Sequence, residues 1–160
     1  MSISTRVSDY LDSQDIRYEV VNHGHSNSSM STAMAAHVSP ETIAKAVVLE
    51  DDEGRRLMAL LPAHYRISLH KLRDQLNVLE LKIVNEEQVY KLFNDCAPGA
   101  VPAVGQAYNM STVYDETLDQ LVDIFLEGGD HETLIHLTHK QFEKLMGDTK
   151  HARFSGEVFH

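Results

Sequence analysis

The sequence predicts a mixed α+β domain, and three observations predict it. Apolar residues switch repeatedly between helical spacing and strand alternation along the 160 residues. Hairpin signals outnumber strict strand–helix–strand units, which argues against a doubly wound sheet. Hydrophobic residues make up 42% and charged residues 24%, a globular balance with no repeat and no low-complexity tract to divide the chain. One domain over residues 1–160 is expected, with 151–160 as a C-terminal tail that holds Phe154 and Phe159.

The elements follow in order. Ile3, Val7 and Leu11 recur at helical spacing, so residues ~3–13 read as an amphipathic helix. Ile16, Tyr18 and Val20 alternate as a strand, and the polar stretch from Asn22 to Ser29 reads as a loop. Ser31 or Thr32 caps a short Ala-rich helix ending near His37, and Ser39-Pro40-Glu41 is a second helix-start signature. Ile43–Leu49 and Leu57–Leu61 form a hairpin whose tip, Asp51 to Arg56, is a solvated charge run. Ser68 caps a helix carrying Leu69, Leu72 and Leu76, and Leu79, Leu81 and Ile83 suggest a short strand. Asn85 with Glu86 and Glu87 starts a helix that buries Val89, Leu92 and Phe93. Beyond an irregular segment at 94–111, strands are expected near Thr112–Tyr114, Leu121–Glu127 and Thr133–Leu137, the last two joined at Gly128-Gly129-Asp130. A final helix near 139–146 buries Phe142, Leu145 and Met146 and stops at Gly147.

Composition narrows function. The net charge of −10 argues against a protein that grips nucleic acid mainly through its phosphates. No apolar run approaches the ~20 residues of a membrane span, and Met1 to Arg6 lacks a basic segment leading into an apolar one, so a cytoplasmic protein is expected, with no membrane and no DNA partner. The single Cys96 excludes an internal disulfide and every paired-cysteine zinc site.

Chemistry is suggested at two places. In Ile43-Ala44-Lys45-Ala46-Val47-Val48-Leu49, Lys45 falls on the same strand face as Ile43, Val47 and Leu49. An ammonium there either snorkels from a strand end or sits at a cleft floor to meet a phosphate, carboxylate or polarised carbonyl. After Cys96, the segment Ala97-Pro98-Gly99-Ala100-Val101-Pro102-Ala103-Val104-Gly105 has no hydrogen-bonding side chain. It is either a rigid connector or a site whose chemistry comes from backbone N–H and C=O groups alone. Neither GxGxxG nor GxxxxGK[ST] occurs in it.

Ten histidines raise the question of metal. His131 and His136 would face opposite sides of a strand and no HExxH pattern occurs, so neither metal nor cofactor is expected. His23 and His25, beside a Ser-rich loop, suit hydrogen bonding to a polar ligand. The loop lacks GxSxG, which disfavours a serine hydrolase. Cys96 beside Asp95 reads as a small buried or half-buried thiol.

These segments, with Met30 to Ala36, Leu60 to Leu69 and Gly128 to Ile135, resemble in order and spacing the YbaK-type family of trans-acting aminoacyl-tRNA deacylases related to the editing domain of prolyl-tRNA synthetase. The resemblance implies a curved, mostly antiparallel or mixed sheet around a small pocket with flanking helices. It implies hydrolysis of the ester between a wrong amino acid and the tRNA 3′-terminal adenosine, most of all on a prolyl tRNA. Partners would be the tRNA acceptor end and an aminoacyl-tRNA synthetase. The family's lysine falls on Lys45, which would orient the terminal nucleotide or acyl group. Its glycine–proline loop falls on Pro98, Gly99, Ala100, Val101 and Pro102, continuing to Gly105, where main-chain groups would hold the ester and position water. The ribose 2′-OH would help activate that water. His23, His25, Met30 and Met34 would set the pocket volume, and His131 would line it. The chain departs from the family at Pro98, where many members have glycine. A non-catalytic binding domain of the same fold, for a nucleotide, an amino acid or a protein, is the competing expectation. A metal hydrolase built on the histidines is the third.

Overall fold

In the computed structural model, residues 3–26 and 28–157 are described, Ser29 and Met30 by their backbone alone. Helix α1 (Thr5–Ser13) is capped by the Ser4 hydroxyl and buries Val7 and Leu11. Strand β1 (Glu19–Asn22) then leads through the polar loop to α2 (Ser29–Ala36). Strand β2 (Ile43–Asp51) and β3 (Arg56–Pro62) form the central hairpin. The short β4 (Arg66–Ile67), α3 (Leu69–Leu76), β5 (Leu81–Ile83) and α4 (Glu86–Leu92) follow. The chain closes with β6 (Ser111–Asp115), β7 (Asp123–Glu127), β8 (Thr133–Thr138), α5 (His139–Met146), β9 (Lys150–Ala152) and β10 (Ser155–Gly156).

The main sheet runs β1-β8-β7-β2-β3-β6-β9, with β5 attached to β2, and β10 pairs separately with β4. Four contacts in the main sheet, β1–β8, β7–β8, β2–β3 and β2–β5, are antiparallel, whereas β2–β7, β3–β6 and β6–β9 are parallel. A mixed sheet with flanking helices is the α+β class that the sequence predicts. One face buries Ala44, Val48, Met58 and Leu60 against α1, α5 and the irregular segment. The opposite face packs Leu49, Ala59, Leu61 and Val113 against Leu72 of α3 and Phe154.

Several sequence expectations shift. Ser28, rather than Ser31 or Thr32, caps α2, accepting from the Ser31 N–H, while Thr32 is buried with its hydroxyl 2.6 Å from that of Ser26. The first strand begins at Glu19, leaving Ile16 as a buried plug and Tyr18 outside it. Pro40–Thr42 makes one 3-10 turn only, and Leu79 lies exposed outside β5. Asp51 departs from a solvated tip: it is buried and accepts from the N–H groups of Glu53 and Arg55 and from Arg55 Nε. Residues 151–157 of the expected tail pack on the domain, supplying part of β9, the buried Phe154 and β10. Asn85, Ser68 and Gly147 cap their helices as the sequence predicts.

Candidate functional site

Strand β2 creates the site by losing its neighbour. It pairs with β7 only at Ile43↔Phe125 and Ala44↔Leu126, and with β5 only from Leu49↔Ile83 onward. Between these contacts, residues 45–47 keep a backbone partner on the β3 side alone, and the Val48 carbonyl accepts from the Val84 N–H just beyond β5. The gap opens into a cavity of about 330 Å³ lined by β2 from Ile43 to Val48, by Ile83, Val89 and Leu134, by Gly99 and Val101, and by Glu127 and His131. That volume suits a small ligand or the end of a larger one.

Lys45 reaches this cavity from the β2 edge. Among the described residues it has neither an ion-pair nor a hydrogen-bond partner. Burial lowers its pKa from the ordinary lysine value, and the nearby Arg66 guanidinium lowers it further. The lysine is therefore half-buried and, among the described residues, without a compensating carboxylate.

The loop opposite is built by a turn. The Ala100 N–H donates to the Ala97 carbonyl at 3.0 Å, Pro98 sits at the second turn position, and Gly99 follows with φ +80°. This is a type II turn, which favours proline then glycine at these places. Pro98 thus fits the loop geometry. Its carbonyl accepts a 2.6 Å hydrogen bond from His131 Nε2. In a planar trans peptide the Gly99 N–H points opposite to that carbonyl. Among the described residues, neither the Gly99 nor the Val101 N–H has an acceptor.

His131 is buried, with φ +63°, in the turn between β7 and β8 and not on a strand. The same turn is held by Glu127, whose Oε1 accepts from the N–H groups of Gly128, Gly129 and His131 at 3.1–3.2 Å. Asp130 secures the other side, accepting from the Glu132 N–H and the Thr133 hydroxyl.

The remaining sequence candidates lie around this centre. His25 is exposed, sits edge-on to His131 with ring centroids 5.5 Å apart, and is not among the described lining residues. His23 donates its backbone N–H to Glu132 and its Nδ1–H to the Gly24 carbonyl, and is not among the described lining residues. The side chain of Met30 lies outside the described residues, and Met34 is exposed. Ala100 and Pro102 are buried behind the loop. Gly105 is not brought to the cavity. It packs beneath β6, where a Cβ would stand 2.5 Å from the Thr112 hydroxyl, so its glycine is a packing requirement. Cys96 is buried, as expected, within hydrogen-bond range of Tyr108 and Asp95. Sequence reasoning missed Glu127; its one signal was an acid directly before a Gly-Gly turn on the strand next to the lysine strand. Among the described residues no group of three His, Cys, Asp or Glu could hold a metal ion, and no helix is long and apolar enough to cross a membrane.

A small cavity lined by Lys45, Gly99 and Val101 in an α+β domain is the candidate site. The family profile for the aminoacyl-tRNA editing domain matches residues 23–145, so the chain belongs to the aminoacyl-tRNA editing domain family. Hypothetical protein APE2540 is 17% identical over 94% of this chain and 99% of its own, with a TM-score of 0.83. A candidate trans-editing enzyme for prolyl-tRNA synthetase is 23% identical over 96% of both chains, with a TM-score of 0.82. At these identities the likeness is one of fold. No curated protein matches the chain by sequence.

Proposed function

We propose that the protein hydrolyses, in trans, the ester of a mischarged aminoacyl-tRNA, with a misacylated prolyl tRNA as the foremost substrate. The observation that carries this reading is the pairing, across one small cavity, of an uncompensated ammonium with two unclaimed backbone N–H groups, those of Gly99 and Val101.

Ester hydrolysis needs little more. Water adds to the acyl carbon, the carbonyl oxygen takes up negative charge, and the bond to the ribose oxygen then breaks while that oxygen regains a proton. Fixed N–H donors favour the charged intermediate over the ground-state carbonyl, worth roughly 3–4 kcal/mol for a well-placed donor. Lys45 would anchor the phosphate of the terminal nucleotide or the carbonyl of the acyl group, and the rigid turn would hold the ester at a reactive distance. The ribose 2′-OH next to the ester would help to activate the water. Contact with the acceptor end alone suits an acidic chain, and the affinity for tRNA would be weak and salt-sensitive. The setting we propose is the cytosol, with an aminoacyl-tRNA synthetase as a further partner, and the domain would span residues 1–160. The family supports an editing role, and the name of the second structural relative is what favours a prolyl tRNA.

The deciding experiment is release of amino acid from alanyl- and cysteinyl-tRNA for proline by the wild type and Lys45→Ala. Release by the wild type alone supports the enzyme. No release from any aminoacyl-tRNA favours the second reading, a non-catalytic binding domain, for which the net charge of −10 speaks.

A further inference from the structure

Resting on the assignment of this cavity to the aminoacyl ester, we propose that Glu127 forms a subsite for a protonated amine, the α-ammonium of the amino acid to be removed. Strand register places it there. Parallel pairing of Ile43 with Phe125 and Ala44 with Leu126 makes Lys45 and Glu127 the next opposed pair, just where the strands part. Each lies two residues beyond Ile43 or Phe125, so both side chains leave the sheet on the face where those two pack together. Both line the cavity, yet they form no ion pair with each other.

The carboxylate is built to stay in place. Three backbone N–H groups fix Oε1, while Oε2 has no hydrogen-bond or ion-pair partner among the described residues. The rest of the wall is mixed: Val89, Val101 and Leu134 are apolar, while Ser28, Thr32 and a second carboxylate, Glu86, also line it. An ammonium and a fixed carboxylate that share a small cavity without neutralising each other call for a ligand with complementary charges at two points. An aminoacyl nucleotide has both: phosphate or carbonyl oxygen for Lys45, and the ammonium on the carbon next to the ester for Glu127. A charge-assisted N–H···O bond in a partly dry cavity is strong enough to discriminate. Blocking the amine with an acyl group removes the charge and leaves the carboxylate without a partner, which raises the penalty further.

The test is calorimetric binding of 3′-(L-alanylamido)-3′-deoxyadenosine 5′-phosphate, whose amide resists hydrolysis, and of its N-acetyl derivative. The wild type should bind the free amine at least ~10-fold more tightly. Glu127→Gln keeps an Oε1 acceptor for the turn and should bring the two ligands to the same affinity. Equal binding of both by the wild type, a preference that survives in Glu127→Gln, or binding of neither overturns the subsite. The wild-type ratio decides on its own if the variant melts early. Ester hydrolysis separates this from the parent reading. Amine-selective binding without deacylation sinks the enzyme and leaves the subsite. Equal deacylation of alanyl- and N-acetylalanyl-tRNA leaves the enzyme and sinks the subsite. Equal slowing of both esters in Glu127→Gln, with binding unchanged, would assign the carboxylate to the water instead and overturn the subsite.

Discussion

The imidazole of His131 donates Nε2–H to the Pro98 carbonyl at 2.6 Å, joining the β7–β8 turn to the type II turn across the cavity mouth. One hydrogen bond therefore sets the orientation of the Pro98–Gly99 peptide. His131→Ala should loosen the loop and lower kcat/KM for deacylation ~10-fold or more, while costing about 1–2 kcal/mol of stability. A melting curve and a rate on the same preparation check this. Full activity in His131→Ala would show that the loop holds its shape without the clamp.

At Gly99 the backbone itself sets the requirement. With φ +80° a side chain is strained by about 1–2 kcal/mol, and an added Cβ would stand 3.5 Å from the His131 ring. Gly99→Ala should reduce deacylation more than it reduces stability, since the strain is relieved by rotating the peptide that the site depends on. Pro98→Ala retains the allowed conformation and loses only restriction of the unfolded chain, about 0.4–1 kcal/mol. Rates for both variants, compared with their melting temperatures, separate the two effects.

Lys45 should show the opposite balance of stability and activity. Its pKa is lowered in the fold, by burial and then by Arg66. The folded state thus binds the proton less well than the unfolded chain does, and charge on Lys45 counts against folding at neutral pH. That cost disappears as pH climbs through the folded pKa toward the ordinary lysine value. Lys45→Met should abolish deacylation and melt no lower than the wild type at pH 7, with any advantage shrinking on the alkaline side. A variant that melts well below the wild type at pH 7 would make the lysine structural.

How much of this was legible in the sequence depends on distance along the chain. Lys45 stood out because alternation over seven residues puts it on an apolar face, a purely local signal. The Pro98–Gly99 turn was visible for the same reason. Glu127 was not, because its place opposite Lys45 depends on a parallel pairing between strands about 80 residues apart, of which only two register positions form. His131 was weighed as a strand residue facing opposite to His136, whereas the turn held by Glu127 and Asp130 puts it in the left-handed region. β4, β9 and β10 are two or three residues long, too short for periodicity to register. Gly105 was grouped with the cavity loop by adjacency in sequence, but the 3-10 turn Gly105–Tyr108 carries it under β6.

Cys96 should prove chemically quiet. Burial pushes its thiol up to about 11, with the Asp95 carboxylate adding to the rise and the Tyr108 hydroxyl opposing it. The thiolate fraction near pH 8 is therefore small, and access is poor. Alkylation of the native protein at pH 8 should be at least ~10-fold slower than after denaturation. Cys96→Ala should leave deacylation within about twofold. Rapid native alkylation, or loss of activity in Cys96→Ala, would make the thiol a candidate nucleophile.

The last prediction concerns Asp115, which ties the C-terminal segment to the sheet. It is fully buried, and its carboxylate accepts from the Phe154 and Ser155 N–H groups, the Ser155 hydroxyl, and the N–H and hydroxyl of Thr117. Burial alone would push the carboxyl up, but these hydrogen bonds outweigh it and hold it below the usual range. The folded state therefore releases the proton more readily than the unfolded chain. The resulting stability is present above the ordinary aspartate value near pH ~4 and is lost as pH falls through the folded pKa. Asp115→Asn should melt lower at pH 7 and show a flatter fall in melting temperature below pH ~4. Removing residues 151–160 deletes the same anchor together with Phe154, whose buried ring packs against Leu72 and Leu61. Loss of such a ring costs about 3–5 kcal/mol, a large part of a small domain's stability. The truncated chain should accordingly be marginal at 37 °C, as read by circular dichroism. A truncated protein that melts with the wild type, or an Asp115→Asn variant with an unchanged acid limb, would show that the carboxylate does not hold the segment in solution.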